Sequence, residues 1–142
     1  WILMAILVNN CFHKKTFSKW VIQLRLYLRV MYKSLTVIIP VYNEKDTVKE
    51  CIERVLKADT CGLTLNIIVS DNNSTDGTKE ILKSINDEKV KCYFKEKNEG
   101  KGSNIKNALQ YAIGDLILFQ DADLEYHPEN FPDLINPFIK DI

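Results

Sequence analysis

The chain has 142 residues, 46% hydrophobic and 27% charged, which suits a single domain with its own core and excludes a disordered or low-complexity chain. Lys+Arg and Asp+Glu each number 19, for a formal net charge of +0, so the chain as a whole carries no signal for nucleic acid or another polyanion. Cys11, Cys51, Cys61 and Cys92 lack the spacing of a zinc site and the density of a disulfide scaffold; a reducing, cytoplasmic compartment is the expectation.

The charge is unevenly placed. Lys14, Lys15, Lys19, Arg25, Arg29 and Lys33 all precede the first acidic residue, Glu44, so residues 1–33 form a basic, apolar leader ahead of a net acidic domain, 34–142. Trp1 is not an initiator methionine, and the sequence reads as a fragment or a processed form. The apolar run Ile2–Val8 is far short of the ~20 residues that span a bilayer, and it lacks the flanks of a signal peptide. Leu24, Leu26, Leu28 and Val30 alternate as in a strand, whereas Trp20, Leu24, Tyr27 and Met31 recur at helical spacing; both readings stay open. One function for the leader is a helix lying on an anionic membrane surface, a peripheral contact. The plainer reading is an appended segment.

From Leu35 the pattern sharpens. Leu35–Pro40 is a short β-branched run stopped by proline, the mark of a buried strand. Thr47 is placed to cap a helix carrying Val48, Cys51, Ile52, Val55 and Leu56, and Gly62 interrupts the chain. Leu65–Val69 is a second buried strand, and Asp71–Gly77 is turn chemistry. Ile81, Leu82 and Ile85 mark a second helix, and Val90–Phe94 a third strand. Asn98–Ser103 reads as a glycine-bearing loop before a third helix with Ile105, Ala108, Leu109, Ala112 and Ile113. Leu116–Phe119 is a fourth strand, and a short helix is expected within Pro128–Ile139. This alternation predicts an α/β fold, a mostly parallel sheet with helices on both faces.

In such a sheet all strands end at one edge, and ligands bind where strand order reverses. Four polar clusters fall there: 40–44, 70–76, 98–103 and 120–125, the third following an edge strand. Asp121 and Asp123 place two carboxylates at a turn, where a shared cation relieves their repulsion. Hard oxygen ligands suit Mg²⁺ or Mn²⁺, with Glu125 within reach of the same ion; the alternative is a solvated acidic turn. Asp71 can accept hydrogen bonds from a base edge or can serve the turn itself, although Asp76 has the stronger claim to cap the next helix. Tyr42 can stack on a base and Glu44 can bond to it or to a ribose, unless Glu44 only favours the helix start. Lys101, between Gly100 and Gly102, suits phosphate. The loop is neither a Walker A motif nor a dinucleotide fingerprint, because Gly102 follows the lysine and Ile105 stands where a third glycine belongs. His13 and His127 have no partners at metal spacing.

Taken together, Val37–Glu44, Ile67–Thr78, Asn98–Gly102 and Gly114–Glu125 resemble the family 2 glycosyltransferases of GT-A fold, in particular the dolichyl-phosphate mannosyltransferase-like branch. The resemblance covers about Leu35 to Phe138, the donor-binding part. It implies that Pro40, Tyr42 and Glu44 line a nucleoside pocket, that Val69 and Asp71 contact the base, and that Asp121, Ala122 and Asp123 hold the diphosphate and its metal. Glu125 stands where that branch usually carries a glutamine, and Asn72-Asn73 where many members have Asp-Gly; asparagine tolerates the left-handed backbone such a turn needs. The implied reaction is an inverting transfer from a UDP- or GDP-sugar to a lipid-phosphate or glycan acceptor. The acceptor site and any catalytic base are expected beyond Ile142, with the sheet incomplete at its carboxyl end. Two other functions compete: a nucleotide-binding module without transfer, and a nucleotidyltransferase. The latter wants a glycine-rich basic loop after the first strand, which is missing.

Overall fold

A computed structural model describes residues 32–139. The expected leader lies outside the described residues except for Tyr32 and Lys33. These two are part of the folded unit: Tyr32 packs on the core, and the Lys33 carbonyl accepts from Thr64 N–H at 2.8 Å.

The elements alternate as β1 (Ser34–Val41), α1 (Val48–Lys57), β2 (Thr64–Asp71), α2 (Thr78–Ser84), β3 (Val90–Phe94), α3 (Lys101–Leu109), β4 (Leu116–Phe119), a 3-10 turn (Pro128–Asn130) and α4 (Phe131–Ile139). Among the described residues the sheet has four strands in the order β3-β2-β1-β4, every pair parallel. The α/β reading holds.

β1 and β2 are central and apolar on both faces because both faces are covered. One face carries Leu35, Val37, Ile39 and Val41 of β1 and Leu65, Ile67 and Val69 of β2. Against it pack Val48, Cys51, Ile52 and Val55 of α1, Leu82 of α2, and Phe131 and Ile135 of α4. On the other face Ile38 and Ile68 meet Ala108 of α3. Ile117 and Phe119 of β4 pair in register with Thr36 and Ile38, so they share this second face and stay exposed beyond the reach of α3.

Several boundaries differ from expectation: β1 runs through Pro40 to Val41, β2 takes in Asp71, and α2 ends at Ser84, short of Ile85. Lys101, Gly102 and Ser103 are the first turn of α3 rather than loop, because Gly100 takes the positive φ (85°) that opens the helix. The helix also stops at Leu109, leaving Ile113 72% exposed. Gly114 explains the early stop: a Cβ there would lie 2.5 Å from Thr36 N, so the chain must quit the helix to pass flush against β1. Asn73 takes φ 65°, as the Asn-Asn turn required.

Candidate functional site

The chain leaves β1 toward β2 on one side and returns to β4 on the other, so strand order reverses between β1 and β4. A pocket opens there, at the carboxyl edge. Its wall is Pro40, Val41, Tyr42 and Glu44 after β1, Asn72 after β2, Asn98, Gly100, Lys101 and Asn104 around the start of α3, and Asp121, Ala122 and Asp123 after β4. All four polar clusters reach it.

The acidic turn is built from its buried members outward. Ala122 is buried in the main core, which turns Asp121 and Asp123 on either side of it to the pocket. Gln120 is 2% exposed, and its Nε2 donates to the carbonyls of Asp121 and Tyr126 at 3.0 Å each. That amide closes the loop 121–126 on itself. Cys51 Sγ approaches the same Asp121 carbonyl at 3.5 Å; burial, with Asp123 nearby, pushes this thiol up to about 12. Leu124 takes φ 65°, a left-handed backbone unusual for a branched side chain, and Glu125 N–H donates to Asp123 Oδ1 at 3.1 Å.

Lys101 Nζ lies 2.7 Å from Asp121 Oδ1 and 2.9 Å from Oδ2, so one ammonium engages both carboxylate oxygens. The hydrogen bond it donates to Asp121 raises the lysine above its ordinary value. The donor set fits Mg²⁺ or Mn²⁺: Asp121 already faces a cation, Asp123 lines the same wall, and such ions take one or two protein carboxylates with phosphate and water completing the shell. Among the described residues no group of three or more His, Cys, Asp or Glu is placed to hold an ion. Glu125 is therefore not gathered with the two aspartates; it is exposed and off the pocket wall.

On the nucleoside side, Tyr42 is 46% exposed and stands at the rim. Thr47 does not cap α1 with its side chain; instead its hydroxyl donates to Glu44 Oε2 at 2.7 Å and orients that carboxylate. Val69 is fully buried in the core and is not on the pocket wall. Asp71 is also fully buried, with its carboxylate accepting from Ser74 N–H at 3.1 Å. It serves the turn, as Asp76 does by accepting from Thr78 N–H at 3.0 Å.

Residues given no role by the sequence support the wall. Asn72 Nδ2 donates to Asn98 Oδ1 at 2.7 Å, and Asn72 Oδ1 accepts from Glu99 N–H at 3.3 Å. Ser70 Oγ donates to Asn104 Oδ1 at 2.6 Å, and Asn104 Nδ2 returns a bond to the Ser70 carbonyl at 2.7 Å. A polar residue on an otherwise apolar face, as Asn104 is beside Ala108, was the available signal.

The chain is similar in sequence and fold to known proteins of one family. A family model described as Glycosyl transferase family 2 matches residues 36–141. Undecaprenyl-phosphate 4-deoxy-4-formamido-L-arabinose transferase of Pectobacterium carotovorum is 36% identical over 107 residues, which are 72% of this chain and 33% of that protein. The mannosyltransferase PcManGT of Pyrobaculum calidifontis, solved with GDP-Man and Mn²⁺, matches at TM-score 0.58 and 27% identity over 67% of this chain and 29% of its own. TarS of S. aureus, solved with UDP, matches at TM-score 0.60 and 30% identity over 71% of this chain and 30% of its own. The chain spans about a third of the length of the curated relatives it matches. No helix among the described residues is long and apolar enough to cross a membrane.

Proposed function

Because this chain belongs to glycosyl transferase family 2, we propose that its pocket is the donor site of an inverting transferase, which moves a sugar from a UDP- or GDP-sugar to a lipid-phosphate or saccharide acceptor. The observation that carries the reading is the pocket at the β1/β4 switch point, where Asp121, paired with Lys101, and Asp123 share one wall. The GDP-Man and Mn²⁺ bound by one structural neighbour and the UDP bound by another support it. We take the domain to begin at Tyr32, two residues before the expected boundary, because Tyr32 packs on the core and the Lys33 carbonyl accepts from Thr64 N–H.

A divalent ion held by Asp121 and Asp123 would neutralise the charge that builds on the departing nucleoside diphosphate. Tyr42 offers its ring to the base, and Thr47 holds Glu44 ready to accept from a base or ribose donor. The amides of Asn72 and Asn98 form the floor between them. Lys101 supplies a mobile positive charge at the diphosphate. The acceptor oxygen attacks the anomeric carbon opposite the diphosphate, forming one C–O bond as the other breaks, so the configuration inverts. Positioning and electrostatics carry most of the acceleration. The undecaprenyl-phosphate in the relatives' name favours a lipid-phosphate acceptor, which is already ionised and needs little help from a base. Such an acceptor places the reaction peripherally, at the cytoplasmic face of a membrane.

The test is calorimetric titration of the folded protein with UDP and with GDP, each with and without Mn²⁺. One nucleotide binds in a Mn²⁺-dependent way, and Asp123→Asn loses that dependence. Folded protein that binds neither nucleotide refutes the donor site. Asp71→Ala separates the two roles of that residue: a contact with the base lowers nucleotide affinity at unchanged stability, whereas a turn residue lowers stability first.

A further inference from the structure

Two lysines near the pocket are held very differently. Lys95 is locked in place, its side chain 12% exposed and its ammonium bonded to Glu99 and Ser103. The Lys101 side chain is 62% exposed and that of Asp121 26%, and among the described residues the ammonium is anchored by the two Asp121 carboxylate oxygens. Lys101 can therefore leave Asp121 by side-chain rotation without disturbing a packed neighbour.

We propose that Lys101 is the internal counter-ion of Asp121, competing with the divalent cation for that carboxylate and passing to the donor diphosphate when cation and nucleotide bind together. This rests on the donor-site reading above. A cation reaching Asp121 alone meets the ammonium across both oxygens, and like charges that close repel. When a diphosphate arrives with the cation, the displaced ammonium gains a new anion, and every charge keeps an opposite neighbour. Cation and nucleotide thus favour each other through one side chain, and the coupling is reciprocal.

The inference predicts that one substitution shifts two affinities in opposite directions. Lys101→Met tightens Mn²⁺ binding to the nucleotide-free protein about threefold, the scale of an exposed ion pair. The same variant binds the matching nucleoside diphosphate in saturating Mn²⁺ about tenfold more weakly, having lost a charge-assisted hydrogen bond. Lys101→Arg, which keeps the charge, stays near wild type in the Mn²⁺ arm. Free Mn²⁺ is read by its paramagnetic resonance signal in the first arm and nucleotide by calorimetry in the second, so neither readout is catalytic activity. Nucleotide binding with Mn²⁺ affinity unchanged or weakened in Lys101→Met overturns the inference and leaves the donor site standing. Tighter Mn²⁺ with no nucleotide bound by either protein overturns the donor site and leaves the competition at Asp121 standing.

Discussion

Gln120→Glu is the sharpest perturbation of the acidic turn, because it keeps the shape of the side chain and replaces a donor at its end with an ionisable oxygen. Gln120 is 2% exposed, and both of its amide N–H groups are used, on the carbonyls of Asp121 and Tyr126 at 3.0 Å. Two carbonyls need the donor end of the amide, so the orientation of this side chain is settled by its partners. A carboxylate in its place aims oxygen at oxygen. Two hydrogen bonds are lost at about 1 kcal/mol each, and a buried charge without a partner brings the total to about 3–5 kcal/mol, a large share of the 5–15 kcal/mol a domain has in total. The new carboxyl escapes by staying protonated, which restores one donor. Its pKa in the folded state is then raised above its unfolded value near 4.3, and the native state binds the extra proton. The penalty is therefore full above the folded pKa and shrinks as pH falls toward the unfolded one. Urea unfolding at pH 8 and pH 5 reads this directly: the variant falls well below wild type at pH 8 and closes part of the gap at pH 5, whereas Gln120→Leu shows a gap independent of pH. Equal stability of Gln120→Glu and wild type at pH 8, or one fixed gap at both values, refutes the clamp.

Gly114→Ala places a methyl carbon 2.5 Å from Thr36 N and 2.8 Å from the Leu116 carbonyl oxygen; separating β1 from the entry to β4 costs about 1–3 kcal/mol, read as a lowered urea midpoint. Burial pushes the Cys51 thiol up to about 12 and the Cys92 thiol up to about 11, so at pH 8 both react with iodoacetamide far more slowly than a model thiol and reach its rate only in denaturant; mass spectrometry of the alkylated peptides checks this. The Asp115 carboxylate accepts from Lys33 N–H, Ser34 N–H and Ser34 Oγ–H, which hold it below the ordinary carboxylate range. Its contribution to stability is present above the unfolded pKa near 3.9 and is lost as pH falls through the lower folded value. Asp115→Asn therefore flattens the acid limb of the stability curve, measured by thermal unfolding across that range.

The central strands were legible because burial on both faces leaves a continuous apolar run, as in Leu35–Ile39, although Pro40 did not end the strand, which runs on to Val41. The site's position was legible for a topological reason: strand ends share an edge, so the polar clusters after β1, β2, β3 and β4 had to converge. What the sequence could not separate was inward from outward within a cluster. Asp71 and Asp121 are both aspartates at strand ends, yet one is closed over by Ser74 N–H and the other faces Lys101. That difference depends on how the following three residues turn, and Asn73 at φ 65° sets it locally for Asp71. Glu125 was read with the two aspartates because sequence distance stood in for spatial distance; the left-handed step at Leu124 carries it off the wall.

The 70–78 segment is better understood as a seam than as a ligand loop. Asn43 N–H donates to Ser74 Oγ at 2.8 Å, and Thr75 N–H to Asn43 Oδ1 at 2.9 Å. Glu44 N–H donates to Thr78 Oγ1 at 2.9 Å, and Lys45 N–H to Asp76 Oδ2 at 3.2 Å. Four bonds sew the loop after β1 to the segment after β2, satisfying backbone groups that a loop beyond a strand end would otherwise leave to water. Only Asn72 of this segment reaches the pocket wall. The seam fixes the backbone from which Tyr42 and Glu44 project, so Ser74 and Thr78 govern the pocket without touching its contents. Ser74→Ala should then loosen Tyr42 and Glu44 together, weakening nucleotide by a similar factor with and without Mn²⁺, because the metal wall at Asp121 and Asp123 is built from a different loop. A loss confined to the Mn²⁺-dependent binding would mean that the two walls are coupled through the sheet rather than through this seam.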